Sequence, residues 1–247
     1  DLDAGGGVGS RAGAGRGRGP IGLTVRARLA LQEARAPELA ERVRRLLGPF
    51  RGTEVALDCG SGTGSLAFAL APHVGEVVAL DSRADYLEAG RAAAPENVRF
   101  EEGDALALPY GYATFDIAGC LRLLHHVRRP ELAVSELARG TRTGGRLLIA
   151  DHLGAIDPLR SLEMDRFERL RDPSHQRLLP DADIHGFLDA NDLILLTHEV
   201  VRERVDLEER LELAGVPDEE RVRLRGLAPG AVYEIEVGWY VARKPGP

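Results

Sequence analysis

The chain has 247 residues, 39 acidic against 32 basic side chains and a formal charge of −7, with 44% hydrophobic and 29% charged residues. That length holds one large α/β domain or two small ones, and the composition excludes wholesale disorder or a fibrous repeat. The negative balance disfavours a phosphate-tracking surface, so nucleic acid is not the expected partner.

Of the basic residues only Lys244 is a lysine, which excludes a Schiff base and a phosphate-loop lysine inside the fold. Cys59 and Cys120 are too few and too far apart for a disulfide framework or a cysteine zinc site. There is no secretory pattern and no unbroken apolar run of about 20 residues, so a cytoplasmic, reducing location without a membrane span is expected. The chain starts at Asp1 rather than Met, which leaves an upstream signal open.

Residues 1–20, rich in Gly, Ala and Arg with almost nothing to bury, read as a flexible tail. From 21 to 47 the apolar positions recur at helical spacing with a break at Pro37, which predicts two helices ahead of the first strand. The pattern then alternates: strand 53–58, helix 63–71, strand 76–81, helix 83–94, strand 97–102, strand 114–120, helix 130–139 and strand 145–151. Helices follow at 158–171 and 180–190, then a strand at 193–203, helices at 206–213 and 217–226, and a closing apolar strand at 231–242. Short apolar strands alternating with helices predict a doubly wound, mostly parallel seven-stranded α/β sheet covered on both faces. One domain over 21–247 is expected, with N-terminal helices (21–50), a binding core (51–152), a helical insertion or lid (153–192) between strands five and six, and C-terminal strands and helices (193–247). Trp239 and Tyr240 in the last strand read as core or as an edge between copies, leaving a homodimer open.

The first strand runs into Leu57-Asp58-Cys59-Gly60-Ser61-Gly62-Thr63-Gly64 and then a helix. Glycine lets a ligand approach the backbone, and the helix start presents unpaired N–H groups. The dinucleotide spacing G-x-G-x-x-G fails at Ser65, and the lysine of a phosphate loop is missing. Asp81, ending the next strand, stands where a carboxylate accepts hydrogen bonds from both hydroxyls of a ribose; capping of the following helix by Asp81 or Ser82 is the competing reading. Glu102-Gly103-Asp104-Ala105 closes the third strand, where an adenine edge would be read. Three strand ends therefore converge where a parallel sheet holds its ligand.

These motifs together resemble the class I S-adenosylmethionine-dependent methyltransferases, specifically the ubiquinone/menaquinone-biosynthesis-like small-molecule group. The resemblance rests on Asp58, Gly60, Gly62 and Gly64; Asp81 with Ser82; Gly103-Asp104-Ala105; Thr114-Phe115-Asp116-Ile117; Leu124-His125-His126-Val127; and Gly144-Gly145-Arg146-Leu147-Leu148. It covers about residues 50–152, with a weaker match at Arg171-Asp172-Pro173-Ser174-His175. It implies S-adenosyl-L-methionine as cofactor, with the three glycines admitting the methionine part and Asp58 orienting its amino group. Asp81 would hold the ribose, Asp104 and Ala105 would face the adenine, and Cys120 and Leu121 would supply backbone atoms. Tyr86 departs from the methionine that relatives often carry beside the adenine.

Methyl transfer from a sulfonium needs alignment above all. If the acceptor is a hydroxyl or an acidic carbon, a base is required, and His125 and His126 are the leading candidates because imidazole titrates near neutral pH; a structural role is the alternative for each. Asp151 and His152 after strand five, and His175 in the insertion, are thinner candidates. His73, His185 and His198 lack convergent context in the sequence, and no H-E-x-x-H or comparable set predicts a catalytic metal. The pair Cys59 and Cys120 reads as buried filler in preference to a reactive thiol pair. The expected function is methyl transfer to a small acceptor at oxygen or carbon. The alternatives are a different reaction on the same cofactor and a non-catalytic cofactor-binding sensor.

Overall fold

The computed structural model describes residues 24–246; the tail expected over 1–20 lies outside the described residues. The sheet has seven strands: β1 (Val55–Cys59), β2 (Glu76–Asp81), β3 (Val98–Glu102), β4 (Phe115–Leu121), β5 (Thr141–His152), β6 (Ile194–Asp206) and β7 (Val232–Arg243), in the order β3-β2-β1-β4-β5-β7-β6. Only β7 runs antiparallel to its neighbours β5 and β6. The fold is a Rossmann-like α/β sheet, mostly parallel, with the helical insertion between β5 and β6 that the sequence pattern predicts. Central strands such as β2 (EVVALD) and β4 (FDIAGCL) carry unbroken apolar runs, Val77–Leu80 and Ile117–Leu121, because helices cover both faces. The edge strand β6 instead alternates exposed and half-buried residues.

Helices α1 (Val25–Leu47), α2 (Ser65–Leu70) and α3 (Ala84–Arg91) pack on one face around Leu66, Leu70, Val77 and Ile117; α4 (Pro130–Gly140) and α6 (Asp181–Asp189) cover the other around Leu137, Ile149 and Ile184. A third apolar cluster joins α5 (Pro158–Arg171), α7 (Leu207–Leu213) and α8 (Asp218–Arg225) through Phe167, Leu211 and Leu224. It forms a separate helical cap beside the strand ends.

One difference from the sequence reading, and one alternative it leaves open, have clear causes in the structure. First, α1 is one helix running through Pro37 where a break was expected. Proline removes one backbone hydrogen bond at a cost of about 3 kcal/mol, but the second half is anchored by Val43, Leu46 and Leu47, all buried against the sheet. Second, β7 is not an edge: it pairs with β5 on one side and β6 on the other. Trp239 and Tyr240 are therefore core residues, 8% and 0% exposed. Among the described residues no helix is long and apolar enough to cross a membrane.

Candidate active site at the β1–β4 switch

Strand order reverses between β1, which leads outward to β2 and β3, and β4, which starts the other half. Crevices at such points, beyond the carboxyl ends of the strands, are where open α/β sheets bind ligands. A cavity of about 440 Å³ opens there. Its inner wall is made by the strand ends, through Asp58, Gly60, Leu121, Ala150 and His152. Helix α1 closes one side with Leu31, Gln32 and Leu39, the β6–β7 pair another with Val205, Val237 and Trp239, and the cap a third with Arg171, Asp172 and Arg210.

At the glycine loop, Gly60, Gly62 and Gly64 all hold positive φ, of 71°, 56° and 95°. Only glycine adopts that conformation without strain. Gly60 and Ser61 donate to the Leu80 carbonyl at 2.8 and 2.9 Å, which folds the loop over β2. The Ser61 side chain is 6% exposed on the cavity wall, and its Oγ has no partner. Asp58 is 1% exposed and accepts from the Ala67 amide, in the first turn of α2, at 2.9 Å. Burial outweighs that hydrogen bond and pushes the Asp58 carboxyl up to about 7. A carboxylate so desolvated is ready to gain from a cationic ligand group.

Asp81 serves the loop itself: one oxygen accepts from Gly62 N at 2.8 Å and the other from Arg83 N at 2.9 Å. These bonds clamp the glycine loop and the turn ahead of α3, whose N-cap is Arg83 and has no side-chain cap. Each oxygen retains a second lone pair for a further donor. Ser82 and Asp104 are exposed, and Asp104 accepts from Leu106 N at 2.8 Å. Ala105 and Cys120 are buried. Of the residues expected at the cofactor, Asp58, Gly60 and Leu121 line the cavity, whereas Gly62, Gly64, Asp81, Ser82, Asp104, Ala105 and Cys120 lie outside its wall. Burial pushes the thiols of Cys59 and Cys120 well up, so both stay neutral inside the core and fit the filler reading.

Four imidazoles gather near the β4 and β5 ends, and three of them, His125, His126 and His152, line the same cavity. The ring of His125 lies 4.0 Å from that of His126, 5.2 Å from His152 in a stacked pair, and 5.7 Å from His175. Asp151 organises them: it is 1% exposed and accepts from Leu124 N at 2.6 Å, His152 N at 2.7 Å and the Nδ1–H of His125. Burial raises the Asp151 carboxyl, but the charge and hydrogen bond of His125 outweigh it and the net shift is downward. With Nδ1 committed to Asp151, the lone pair of neutral His125 sits on Nε2.

The other histidines differ. Burial, then the neighbouring His125, drive His126 down to about 3, and its Nδ1 meets Ser174 Oγ at 3.0 Å, which in turn donates to Asp172 at 2.6 Å. Burial, with Arg122 next, holds His152 well below its usual value; its Nε2 is buried without a partner on the cavity wall. His175 is 3% exposed and bonded to Asp165 at 2.8 Å, which pins the loop between α5 and α6. That is a structural role.

Three further features of the cavity surroundings have no local signature in the sequence. Arg122, just after β4, takes φ 54° and pairs with Glu203 of β6 at 2.7 Å, tying the far strand to the cavity mouth. Glu168 of α5 accepts from Arg171 at 2.7 Å and Arg210 at 2.8 Å; burial pushes its carboxyl up but the two guanidinium groups bring it down to about 2. The third is the unpartnered Ser61 Oγ. Long-range pairs such as Arg122–Glu203 and Arg210–Glu168 leave no local pattern in a sequence.

A glycine-cradled strand end with a buried acid and a cluster of imidazoles thus line one cavity at the switch point of a doubly wound sheet. Residues 57–149 match the family described as "Methyltransferase domain". The fold is that of the crystal structure of the YcgJ protein of Bacillus subtilis, with a TM-score of 0.79 at 24% identity over 85% of this chain and 99% of that one. In sequence, this chain is 35% identical over 147 residues to that relative, named an uncharacterized methyltransferase, covering 58% of each. It is 36% identical over 105 residues to the demethylmenaquinone methyltransferase of Renibacterium salmoninarum, covering 42% of this chain and 44% of that relative. It is 34% identical over 148 residues to the 27-O-demethylrifamycin SV methyltransferase of Amycolatopsis mediterranei, covering 58% and 53%. The sequence matches thus span about half the length of these relatives. Residues 57–149 therefore carry a methyltransferase domain, inside a chain whose overall fold is that of the YcgJ structure.

Proposed function

We propose that the protein transfers a methyl group from S-adenosylmethionine to a small, partly apolar acceptor at oxygen or carbon, with His125 as general base. The observation that carries this reading is one cavity lined both by Asp58, Gly60 and Ser61 and by His125, His126 and His152. The donor set suits the cofactor: a desolvated carboxylate for its amino group, an unpartnered hydroxyl, and a glycine turn with no Cβ to bar the backbone. Asp81 and Ser82 would receive the ribose, Asp104 and Ala105 the adenine, and Cys120 and Leu121 would offer backbone atoms beside it. The cofactor supplies a methyl group already activated on a sulfonium, so alignment carries most of the rate.

The remaining chemistry falls to the protein. His125 accepts the acceptor's proton at Nε2, while Asp151 keeps Nδ1 protonated and stabilises the imidazolium. His126, held to about 3, stays neutral and serves to position, through Ser174 and Asp172. His152 offers its unpartnered Nε2 as a hydrogen-bonding group for the acceptor. The apolar wall of Leu39, Leu213, Ile235, Val237 and Trp239 favours an acceptor with a hydrocarbon face. Two relatives are named for methylating demethylmenaquinone and 27-O-demethylrifamycin SV, which supports acceptors of that size and character.

The test is incubation with methyl-labelled S-adenosylmethionine and a panel of quinols, phenols and macrocyclic alcohols, with S-adenosylhomocysteine quantified. Labelled product in equal amount to S-adenosylhomocysteine supports the reading. Acceptor conversion without cofactor consumption would replace it with another reaction, and binding without any conversion would replace it with a sensor.

A further inference from the structure

We propose that Asp181, His185 and His198 form a binding site for one divalent transition-metal ion, zinc in the first instance, that fastens α6 to the edge strand β6. The site is separate from the cavity at the β1–β4 switch, and the inference does not depend on the proposed methyl transfer.

Asp181 and His185 stand four residues apart on α6 and so share one helix face. His198 reaches them from β6, where it lies opposite Tyr240 of β7. Three potential ligand atoms converge within 4.8 Å of one another. His198 Nε2 is 3.0 Å from one Asp181 oxygen, and His185 Nε2 is 3.6 Å from the other. Tetrahedral zinc with bonds of about 2.0–2.1 Å sets its ligands about 3.3 Å apart; His198 stands near that spacing from the Asp181 oxygen it faces, and His185 stands near it from the other oxygen of the same carboxylate. Two imidazoles and a carboxylate are a borderline-soft set that suits zinc and excludes magnesium or calcium as the natural occupant.

The surroundings fix the ligands. Tyr240 Oη donates to the same Asp181 oxygen that faces His198, an outer hydrogen bond of the kind that orients a metal-binding carboxylate. The His198 ring stacks on Tyr240 with centroids 4.7 Å apart, and the His185 ring stands edge-on to both. Gly238 leaves room for the phenol: a Cβ there would lie 2.5 Å from Tyr240 Oη. Tyr240 belongs to the core layer under α4 and α6, whereas its neighbour Trp239 belongs to the opposite layer and lines the large cavity. The alternation of a strand thus keeps the two sites on opposite faces of β7. Asp181 also borders an open cavity of about 310 Å³ with Gly154, Asp157 and Glu236, which gives an ion a route in. Three protein ligands leave a fourth position for water.

The test uses the full chain without a histidine tag, stripped with a chelator and titrated with zinc chloride by calorimetry, with cobalt absorption as a second readout. The expected result is one ion per chain, a raised thermal midpoint, and cobalt bands of a nitrogen- and oxygen-ligated tetrahedral site. Stoichiometric binding should vanish in the doubly substituted His185→Asn, His198→Asn chain, and Tyr240→Phe should weaken it about 10–100-fold. Circular dichroism establishes that each variant is folded; should the double variant not fold, the single His185→Gln change at this half-buried position replaces it. No stoichiometric binding overturns the proposal. Binding that persists unchanged in the histidine variants overturns it as well, because the ion would then sit elsewhere, as at the His125 cluster.

Discussion

Replacing Asp151 by Asn probes the link between the buried carboxylate and the proposed base. In the wild type one oxygen receives Leu124 N and His125 N, at 2.6 and 3.3 Å, and the other receives His152 N and the His125 ring. An amide has only one oxygen, so its NH₂ must face donors on one side or the other. Facing the Leu124 side, it strands two backbone N–H groups. Turned toward the His125 ring, it strands only His152 N–H, provided the imidazole moves its proton from Nδ1 to Nε2. The second route is cheaper: one unsatisfied buried donor costs about 1–3 kcal/mol. It also removes the lone pair from Nε2, the atom assigned to take the acceptor's proton. Stability should therefore fall by about 1–3 kcal/mol and turnover by about 10²–10⁴-fold, the usual worth of a general base. Urea unfolding reads the first, and ¹⁵N shifts of labelled histidine read the tautomer without any need for the acceptor. The acid limb offers a second check. A depressed carboxyl contributes stability that is present above its unfolded value of 3.8 and is lost as the pH falls through the folded one, so this part of acid unfolding should be absent from the variant. An unchanged tautomer together with stability within about 0.5 kcal/mol, the usual effect of a neutral surface change, would refute the reasoning.

Asp58 has the opposite sign. The folded protein keeps its proton up to about 7 while the unfolded chain releases it near 3.8, so stability should fall as pH rises through that window, by up to about 1.4 kcal/mol per unit; unfolding curves of Asp58→Asn should be flat in this respect. Below pH 7, binding of the cofactor's ammonium group should release up to one proton, which calorimetry in buffers of different ionisation heat detects, and equal heats in all buffers would contradict the role. Gly64→Ala forces a side chain into φ 95° and sets its Cβ 2.7 Å from Phe100; a loss of about 2–5 kcal/mol in denaturant unfolding is expected from the left-handed strain and the overpacking together. Glu168→Gln leaves the buried Arg210 and Arg171 without their counter-charge and should cost about 3–5 kcal/mol, read as an earlier melting of the cap in hydrogen exchange; uniform protection in the cap would count against the network.

The sheet was readable because its central strands are covered on both faces and therefore appear as short apolar runs between glycine turns. Boundaries failed where local chemistry misleads. The start of β5 at Thr141 hides behind Thr143-Gly144-Gly145, which reads as a turn, although the chain is already paired to β4 at Phe115. Pro37 reads as a stop, but distant burial of Leu46 and Leu47 holds α1 together. The glycine loop and Asp81 announce themselves because their spacing is local. The histidine cluster is less legible: His125, His126, His152 and His175 each stand out as candidates, but the ring contacts that join them through β4, β5 and the α5–α6 loop leave no local pattern. The same holds for His185 and His198, which look unrelated until α6 is laid beside β6.

Calorimetric titration of the folded chain with S-adenosylmethionine tests the assignment of the switch-point cavity most directly. One molecule should bind per chain, S-adenosylhomocysteine should compete for the same site, and Asp58→Asn should weaken both. Absence of binding heat across a range of temperatures, for protein whose circular dichroism shows the fold intact, would contradict it.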